Sequence, residues 1–372
     1  MVHRLDTAAF DREVRALLTA ARWGAADVEQ VLAATARIDL ADADSWLREW
    51  TAAGGEAWAA ARQGNPSGSY LRAASYYGAA LALIGGSDGL VDEAALWARQ
   101  RACWEHAVAT LGGEQLEIAY EAQTLPAFFV SGGAGRRPVI VVDPGGRMVT
   151  SEAWAHVGAA AHDRGFHWLV FDGPGRQAAL RRQGLALRLD WEAVIGAVAD
   201  TLCGRPDVDP ARMAIIGLEH GGFGVARALT VERRFAAAML APGIHDASRP
   251  WIDQLPDGVR EALLEEDPDR FETELHLATL FTPGIDERLR RSGRWFGDDG
   301  ETLYALYRRI TRYRLGDDVR HITSPTTICE PIDGGCWAGQ ATELAARVSS
   351  AGTLVRGRTA DEAVLRWLDT IS

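Results

Sequence analysis

The sequence predicts a mostly parallel, doubly wound α/β sheet with an N-terminal helical domain and a helical insertion. From residue 139 onward, short apolar runs alternate with longer segments of helical periodicity, a pattern typical of parallel strands joined by helices. Before residue 112, apolar residues recur mainly at helical spacing. The chain has 372 residues, enough for one large α/β domain and a second unit.

Residues 1–112 are predicted to form a helical cap, and residues 113–372 the α/β core. In the cap, Val14, Leu17 and Leu18 follow the three-and-four spacing of a helix face. Tryptophans are frequent in this region, and they either pack between helices or roof a pocket. They are Trp23, Trp46, Trp50, Trp58, Trp97 and Trp104.

The strands and helices of the core follow from the same patterns. Apolar runs mark strand candidates at 116–122, 127–130, 139–142, 167–171, 213–217, 236–240, 326–329 and 353–355. Helical patterns fall at 152–163, 190–203, 222–230, 338–349 and 360–370. Between about 246 and 320, helical patterns follow one another without strands. This segment is predicted to be a lid inserted between the sixth and seventh core strands.

Composition excludes several function classes. The net charge of -12 argues against a nucleic-acid partner, and no apolar run approaches the length of a membrane span. There is no signal-peptide core, and the four cysteines are scattered, so a reduced, cytoplasmic protein is predicted. The chain contains no lysine, which excludes a lysine Schiff base and a P-loop. No metal-ligand spacing or dinucleotide motif occurs, so neither a metal nor a cofactor is expected.

The most informative stretch is Gly217-Leu218-Glu219-His220-Gly221-Gly222. It lies between an apolar run, 213–216, and a helical pattern. That order is typical of a nucleophile elbow, the strand–turn–helix bend that presents a reactive serine in G-x-S-x-G hydrolases. The residue at the apex here is Glu219 instead of serine.

Together with this elbow, three other stretches make the chain resemble the α/β-hydrolases. They are Tyr70-Leu71-Arg72-Ala73-Ala74-Ser75-Tyr76-Tyr77, Phe171-Asp172-Gly173-Pro174-Gly175, and the segment from Cys329-Glu330-Pro331 to Gln340. The chain is most similar to the group with a helical N-terminal cap that includes 2,6-dihydroxypseudooxynicotine hydrolase and the fungal pigment polyketide-shortening hydrolases. The resemblance implies an α/β-hydrolase fold, a small-molecule substrate and a possible homodimer.

The catalytic triad of that family is not preserved. Glu219 replaces the serine, and no histidine follows His321, although the family histidine belongs after the last strand. The loop that carries it is expected to be deleted. Asp333 stands where the family acid would lie. A Ser-His-Asp acyl-enzyme mechanism therefore cannot be transferred to this chain.

Three interpretations of Glu219 remain open: a relic, a covalent nucleophile, or a general base. We favour the base, because a helix N-terminus stabilises the carboxylate while an apolar cap raises its pKa. The backbone N–H of His220, with that of Gly146 or Arg147, would form an oxyanion hole. A base beside such donors suits removal of a proton next to a carbonyl and loss of a β-leaving group.

Other residues are weaker candidates. His220 and His245 are proposed as catalytic partners, although packing is an alternative for His220. Trp251, Tyr76 and Tyr77 are candidates for lining the pocket, with plain packing as the alternative for all three. His276, in the lid, has a lesser claim on the site. The remaining histidines are predicted to be ordinary surface or packing residues: His3, His106, His156, His162, His167 and His321.

The sequence therefore predicts an enzyme that uses Glu219 as a general base. The favoured reaction is cofactor-free elimination of a carboxylate such as acetate from a small, polyketide-like intermediate, by analogy with other α/β-hydrolase-like proteins. A hydrolase with a rearranged Glu/His site is the first alternative. A catalytically inactive binding or scaffold protein is the second.

Overall fold

The computed structural model describes residues 5–64, 66–83, 92–297, 300–332, 335–348 and 351–372. Within these residues, eight strands form one sheet in the order β1-β2-β4-β3-β5-β6-β7-β8. The strands are β1 (Gly113–Tyr120), β2 (Gln123–Val130), β3 (Arg137–Asp143), β4 (His167–Phe171), β5 (Val208–Leu218), β6 (Ala237–Ala241), β7 (Thr326–Pro331) and β8 (Gly352–Arg358).

The sheet is parallel from β4 to β8, and β2 pairs antiparallel with both β1 and β4. The predicted fold class is thus confirmed. The first strand ends two residues earlier than expected, because Glu121, with φ of +50°, makes a tight turn between Tyr120 and Gln123. No glycine in the sequence marked that turn.

Helices before the sheet form the cap. They are α1 (Thr7–Ala20), α2 (Val28–Arg37), α3 (Ala43–Arg62), α4 (Pro66–Ala82) and α5 (Glu93–Thr110). Aspartates begin several of them: Asp27 accepts a hydrogen bond from Gln30 N, and Asp92 accepts from Ala94 N and Ala95 N. Such caps satisfy backbone donors that a helix start leaves without partners.

The helices of the core connect its parallel strands. After β3 come α6 (Thr150–Ala153), a π-helical turn (Trp154–Gly158) and α7 (Ala159–Asp163). The others are α8 (Gln177–Gln183), α9 (Trp191–Cys203), α10 (Gly221–Ala228), α16 (Gln340–Arg347) and α17 (Ala360–Ile371). Between β6 and β7 lie the helices of the lid: α11 (Arg249–Ile252), α12 (Asp257–Leu264), α13 (Pro268–Phe281), α14 (Ile285–Gly293) and α15 (Leu303–Ile310).

Each face of the sheet packs against a different set of helices. On β3, Ile140 and Val142 belong to an apolar cluster with the cap, while Val139 and Val141 face the lid and α9. All four are fully buried. This explains why β3 has a continuous apolar sequence: alternate side chains point to opposite faces, and both faces are covered.

A buried ion pair joins the cap to the core. Arg101 on α5 donates from Nη1 to Asp172 Oδ2 at 2.7 Å, and both side chains are at most 5% exposed. Asp172 Oδ2 also accepts from Ala178 N at the start of α8, and the Arg101 guanidinium lies over the Phe128 ring. The Phe-Asp-Gly-Pro-Gly turn therefore anchors the cap as well as fixing its own shape.

Candidate active site

The strand–turn–helix bend predicted around Glu219 is present between β5 and α10. Glu219 has φ of +47°, its N–H donates to Ala241 O at 3.0 Å, and its carbonyl accepts from Gly222 N at 2.9 Å. A left-handed conformation costs a residue with a Cβ on the order of 1–2 kcal/mol, so neighbouring contacts must hold it. The bend places Glu219 at the carboxyl edge of the sheet, where parallel α/β folds carry their sites.

The three glycines of this bend permit very close backbone packing. A Cβ on Gly217 would lie 2.3 Å from Gly221 O, and one on Gly221 would lie 2.3 Å from Asp143 O. A Cβ on Gly222 would lie 2.0 Å from Pro242 O. Real Cβ atoms do not approach this closely, and backbone cannot swing aside as a side chain can. The elbow therefore requires glycine at these positions for packing.

The Gly222→Ala substitution is expected to destabilise the protein by about 1–3 kcal/mol or more, as overpacking of a tight core does. Gly196 in α9 is a matched control, since a Cβ there has no neighbour within 4 Å. Gly196→Ala should instead stabilise by about 0.5–1 kcal/mol, because alanine is the better helix former. Urea unfolding of both variants measures the difference, and equal stabilities would contradict this account of the elbow.

A small cavity lies between the cap and the core. Its walls come from α1, from Ser75, Gly78 and Ala79 on α4, and from residues 149–156. Glu13, Glu152 and His156 bring charge to an otherwise apolar lining.

The Glu219 carboxyl group lies within electrostatic range of Glu152 and His156 in the cavity wall. Glu219 is exposed to solvent, although many protein atoms lie around its carboxyl group. Burial and the charge of Glu152 raise its pKa, and Arg147, Arg12 and His156 oppose that rise. A raised pKa moves a carboxylate toward the range in which it works well as a base at neutral pH.

Glu13 on α1 is a second perturbed carboxyl group in the cavity wall. Burial, Glu152 and Glu219 raise its pKa to about 7, while Arg12 and Arg147 lower it. The influence of Glu219 on Glu13 shows that the elbow and the cap helix lie within electrostatic range. Clusters of carboxyl groups with raised pKa values are typical of functional sites. Glu13 and Glu152 were not among the residues predicted from the sequence.

His156, predicted to be an ordinary surface or packing residue, forms an ion pair with Asp361. Its Nδ1–H donates to Asp361 Oδ1 at 2.5 Å, and its Nε2 lies 3.8 Å from Glu152 Oε1. Burial disfavours the imidazolium, but the charges of Asp361 and Glu152 and the hydrogen bond to Asp361 outweigh burial and raise the His156 pKa well above its usual value. Asp361 lies in the first turn of α17, just after β8, in the region where the family histidine was expected.

The loop after β3 lies against the elbow, as an oxyanion hole requires. A Cβ on Gly145, whose φ is +75°, would lie 3.1 Å from His220 N. A Cβ on Gly146 would lie 2.0 Å from the Trp295 ring, so the lid packs directly onto this loop. Arg147 contributes its charge, which lowers the Glu219 pKa. The roles of Gly146, Arg147 and His220 as oxyanion donors remain predictions.

The His220 side chain lies in an aromatic cluster under the lid. Its ring centroid is 5.9 Å from that of Trp251, 6.0 Å from Phe223 and 6.3 Å from Trp337. Burial, together with the charge of Arg176, lowers the His220 pKa to about 3. The ring is therefore neutral at physiological pH, which suits packing better than proton transfer.

His245 contacts helix α16. His245 lies beyond β6, with Nε2 2.8 Å from Glu343 Oε2 on α16, at an angle that makes no hydrogen bond. Asp333 lies outside the described residues. Its neighbour Glu330 accepts hydrogen bonds from Gly339 N and Thr342 N and so caps α16.

Tyr76 and Tyr77 pack within the cap, and Trp251 packs in the lid against the His220 ring. Tyr76 OH accepts from Asp27 N at 3.0 Å within the cap, and the Tyr77 ring fills the space beside Gly54. Trp251 Nε1 donates to Ser292 O at 2.8 Å within the lid. The cap helix α4 does line the cavity, but through the small residues that flank the tyrosines.

Among the described residues, no group of three or more histidine, cysteine, aspartate or glutamate side chains has the arrangement of a metal site. No disulfide joins the four cysteines, and Cys103 and Cys329 are buried. No described helix combines the length and apolarity that a membrane crossing requires.

Known proteins that are similar to this chain in sequence are named as hydrolases or hydrolyases. No family model matches the chain. Alpha/beta hydrolase psoB of Aspergillus fumigatus is 31% identical over 272 residues, which are 66% of this chain and 61% of that protein. Hydrolyase poxO of Penicillium oxalicum is 30% identical over 253 residues, 63% of this chain and 60% of that protein. The matches thus span about three fifths of the length of these relatives.

Solved structures agree on the fold. The 2,6-dihydroxy-pseudo-oxynicotine hydrolase superposes with a TM-score of 0.70 at 17% identity and covers 95% of this chain and 94% of its own. AbyA5 superposes with a TM-score of 0.64 at 18% identity, over 99% and 95% of the two chains. At such identities the likeness establishes the fold, and the resemblance expected from the sequence is confirmed.

Proposed function

We propose that this α/β-hydrolase-fold protein is an enzyme that uses Glu219 as a general base to eliminate a carboxylate from a small carbonyl compound. The observation that carries the proposal is the position of Glu219. It occupies the apex of an intact nucleophile elbow, within electrostatic range of the cavity residues Glu152 and His156, with a pKa raised chiefly by burial. A relic would have no need of a carboxyl group whose pKa is raised toward the working range of a base.

The surroundings of Glu219 suit proton removal next to a carbonyl group. The base takes the α-proton, and the carbonyl oxygen becomes an enolate oxygen that backbone N–H groups of the elbow and of the β3 loop would stabilise. The electron pair then forms a carbon–carbon double bond as the β-carbon–oxygen bond breaks. The fitting substrate class is therefore a β-acyloxy ketone or ester, and the apolar cavity wall between α1 and α4 would hold its hydrocarbon part.

Hydrolysis is the second candidate, and two observations favour it. The relatives carry hydrolase names, and His156 supplies an imidazole within electrostatic range of Glu219. In that reaction Glu219 would activate water or attack the acyl carbon itself. The imidazolium state favoured by Asp361 and Glu152 makes His156 a poor base, which places elimination first.

Heavy-oxygen water separates the two reactions. With a series of β-acetoxy ketones, we expect the wild type to release acetate without heavy oxygen, together with the α,β-unsaturated ketone. Ester hydrolysis would place solvent oxygen in the acetate and give the β-hydroxy ketone instead. Mass spectrometry of both products makes the assignment. Labelled acetate, or no turnover across the series, would contradict the lyase proposal.

A further inference from the structure

We propose that His156, oriented by Asp361, is the proton donor of this site and protonates the departing carboxylate while Glu219 removes the α-proton. The inference rests on the proposed function. It assigns a catalytic role to a histidine on the helix after β3, and a positioning role to an aspartate after β8.

The geometry of the pair is that of an oriented imidazole. His156 lies in the π-helical turn Trp154–Gly158, an irregularity that recurs at functional sites. Its Nδ1–H donates to Asp361 Oδ1 at 2.5 Å, in the first turn of α17. The start of α17 is itself fixed by a capping box between Thr359 and Glu362. Asp361 thus fixes both the ring orientation and the tautomer of His156.

The second ring nitrogen is left for a ligand. His156 and Glu152 both line the cavity, and their closest contact, from Nε2 to Glu152 Oε1, is 3.8 Å, beyond hydrogen-bonding distance. An Nε2–H group at this position can therefore donate to an oxygen atom in the cavity. His156 is 19% exposed, which leaves room for such a contact.

The charges that face the ring keep it protonated. From α17 comes Asp361, from α6 Glu152, from α1 Glu13, and from the elbow Glu219, all of them carboxyl groups. The cations nearby, Arg12 and Arg147, act on Glu219 and Glu13. Burial opposes the imidazolium, but the adjacent carboxylates prevail and raise the His156 pKa.

Every proton that moves in this reaction is then supplied and accepted by groups within the site. Glu219 gains the α-proton, the carbon–oxygen bond breaks toward oxygen, and His156 Nε2 gives its proton to that oxygen. A carboxylic acid and an unsaturated ketone leave. Return of the proton from Glu219 to His156, through water or Glu152, restores the starting state. No oxidant, metal or other reactant is needed.

Kinetics of two variants test the donor role. With β-acetoxy ketones, His156→Gln should lower kcat by about 10²–10⁴-fold, the usual share of a general acid. The loss should shrink when chloroacetate replaces acetate, because a better leaving group needs less protonation. Asp361→Asn should retain more activity than His156→Gln. It should shift the alkaline limb of the kcat profile to lower pH, since it removes the negative charge that keeps His156 protonated. His162→Gln, on α7, should behave as wild type.

A substrate-free measurement separates failure of this inference from failure of the proposed function. Imidazole resonances of the full chain, followed by NMR against pH, should show His156 protonated at neutral pH and its pKa lowered in Asp361→Asn. A neutral His156 at that pH would overturn the inference whatever the reaction. So would a His156→Gln enzyme that eliminates acetate at the wild-type rate while Glu219→Gln does not. An active Glu219→Gln enzyme would instead overturn the proposed function.

Discussion

Replacing Glu219 with glutamine is expected to lower kcat/KM for elimination from a β-acetoxy ketone by about 10²–10⁴-fold. The amide is nearly the same size and has the same backbone requirements, so the elbow and its φ of +47° should persist. It cannot accept the α-proton. Steady-state assay of enone formation, with the unfolding transition measured in parallel, separates loss of the base from loss of structure.

The pH profile provides a second sign of the same base. A base works only when deprotonated, and burial with the charge of Glu152 raises the Glu219 pKa. The acidic limb of kcat/KM should therefore lie at higher pH than for an ordinary carboxylate, with activity lost as the pH falls through that raised value. Glu152→Gln removes one cause of the rise and should move this limb to lower pH.

Glu272→Gln serves as the matched control, because this glutamate is exposed on α13. The control should keep both the wild-type rate and the wild-type profile. Turnover by Glu219→Gln within a few-fold of wild type would show that the carboxylate is not the base. The relic or scaffold interpretation would then be favoured, unless another group in the cavity accepted the α-proton.

The sheet and the elbow could be predicted because local patterns determine them. Apolar runs covered on both faces mark parallel strands, and the clustered glycines between 217 and 222 mark a bend in which backbones touch. Glu219 could be singled out because the rest of that bend was intact. These signals lie within a few residues of one another in the sequence.

The partners of Glu219 could not be predicted in the same way, because they are far apart in the chain. Glu13 and Asp361 are separated by most of the sequence, and only the folded cap brings α1 over the elbow. His156 was assigned to packing because nothing in its neighbourhood revealed Asp361 as a partner. One signal was available in the sequence. Asp361 follows β8 where a histidine was expected, and this aspartate could have been matched with a histidine from another part of the chain.

The tyrosines of α4 show a further limit of prediction from sequence patterns. The resemblance selected the correct helix, but Tyr76 and Tyr77 turn into the cap, where Tyr76 OH contacts Asp27 N. Gly78 and Ala79 face the cavity instead. Helical periodicity could have separated the two faces of α4, but it could not show which face lines the cavity.

Removal of the Arg101 guanidinium is the second large effect, this time on stability. Arg101→Met leaves Asp172 as a buried carboxylate without its ion-pair partner, and such losses typically cost about 3–5 kcal/mol. The methionine keeps contact with the Phe128 ring, so the cost reports mainly on charge. Urea unfolding at neutral pH measures it.

Removing either partner of the Arg101–Asp172 ion pair should destabilise the protein by a different amount, which makes the prediction specific. Asp172→Asn leaves Arg101 with Glu105, a half-buried carboxylate 3.4 Å away on the same helix, so this variant should lose less than Arg101→Met. The double variant should lose less than the sum of the two, because neither charge is left alone. Arg182→Met removes an exposed arginine 4.0 Å from the same Glu105 and should change stability by about 0–1 kcal/mol. Additive losses, or an Arg101→Met cost no larger than that of Arg182→Met, would show that the cap is held to the core by apolar contacts alone.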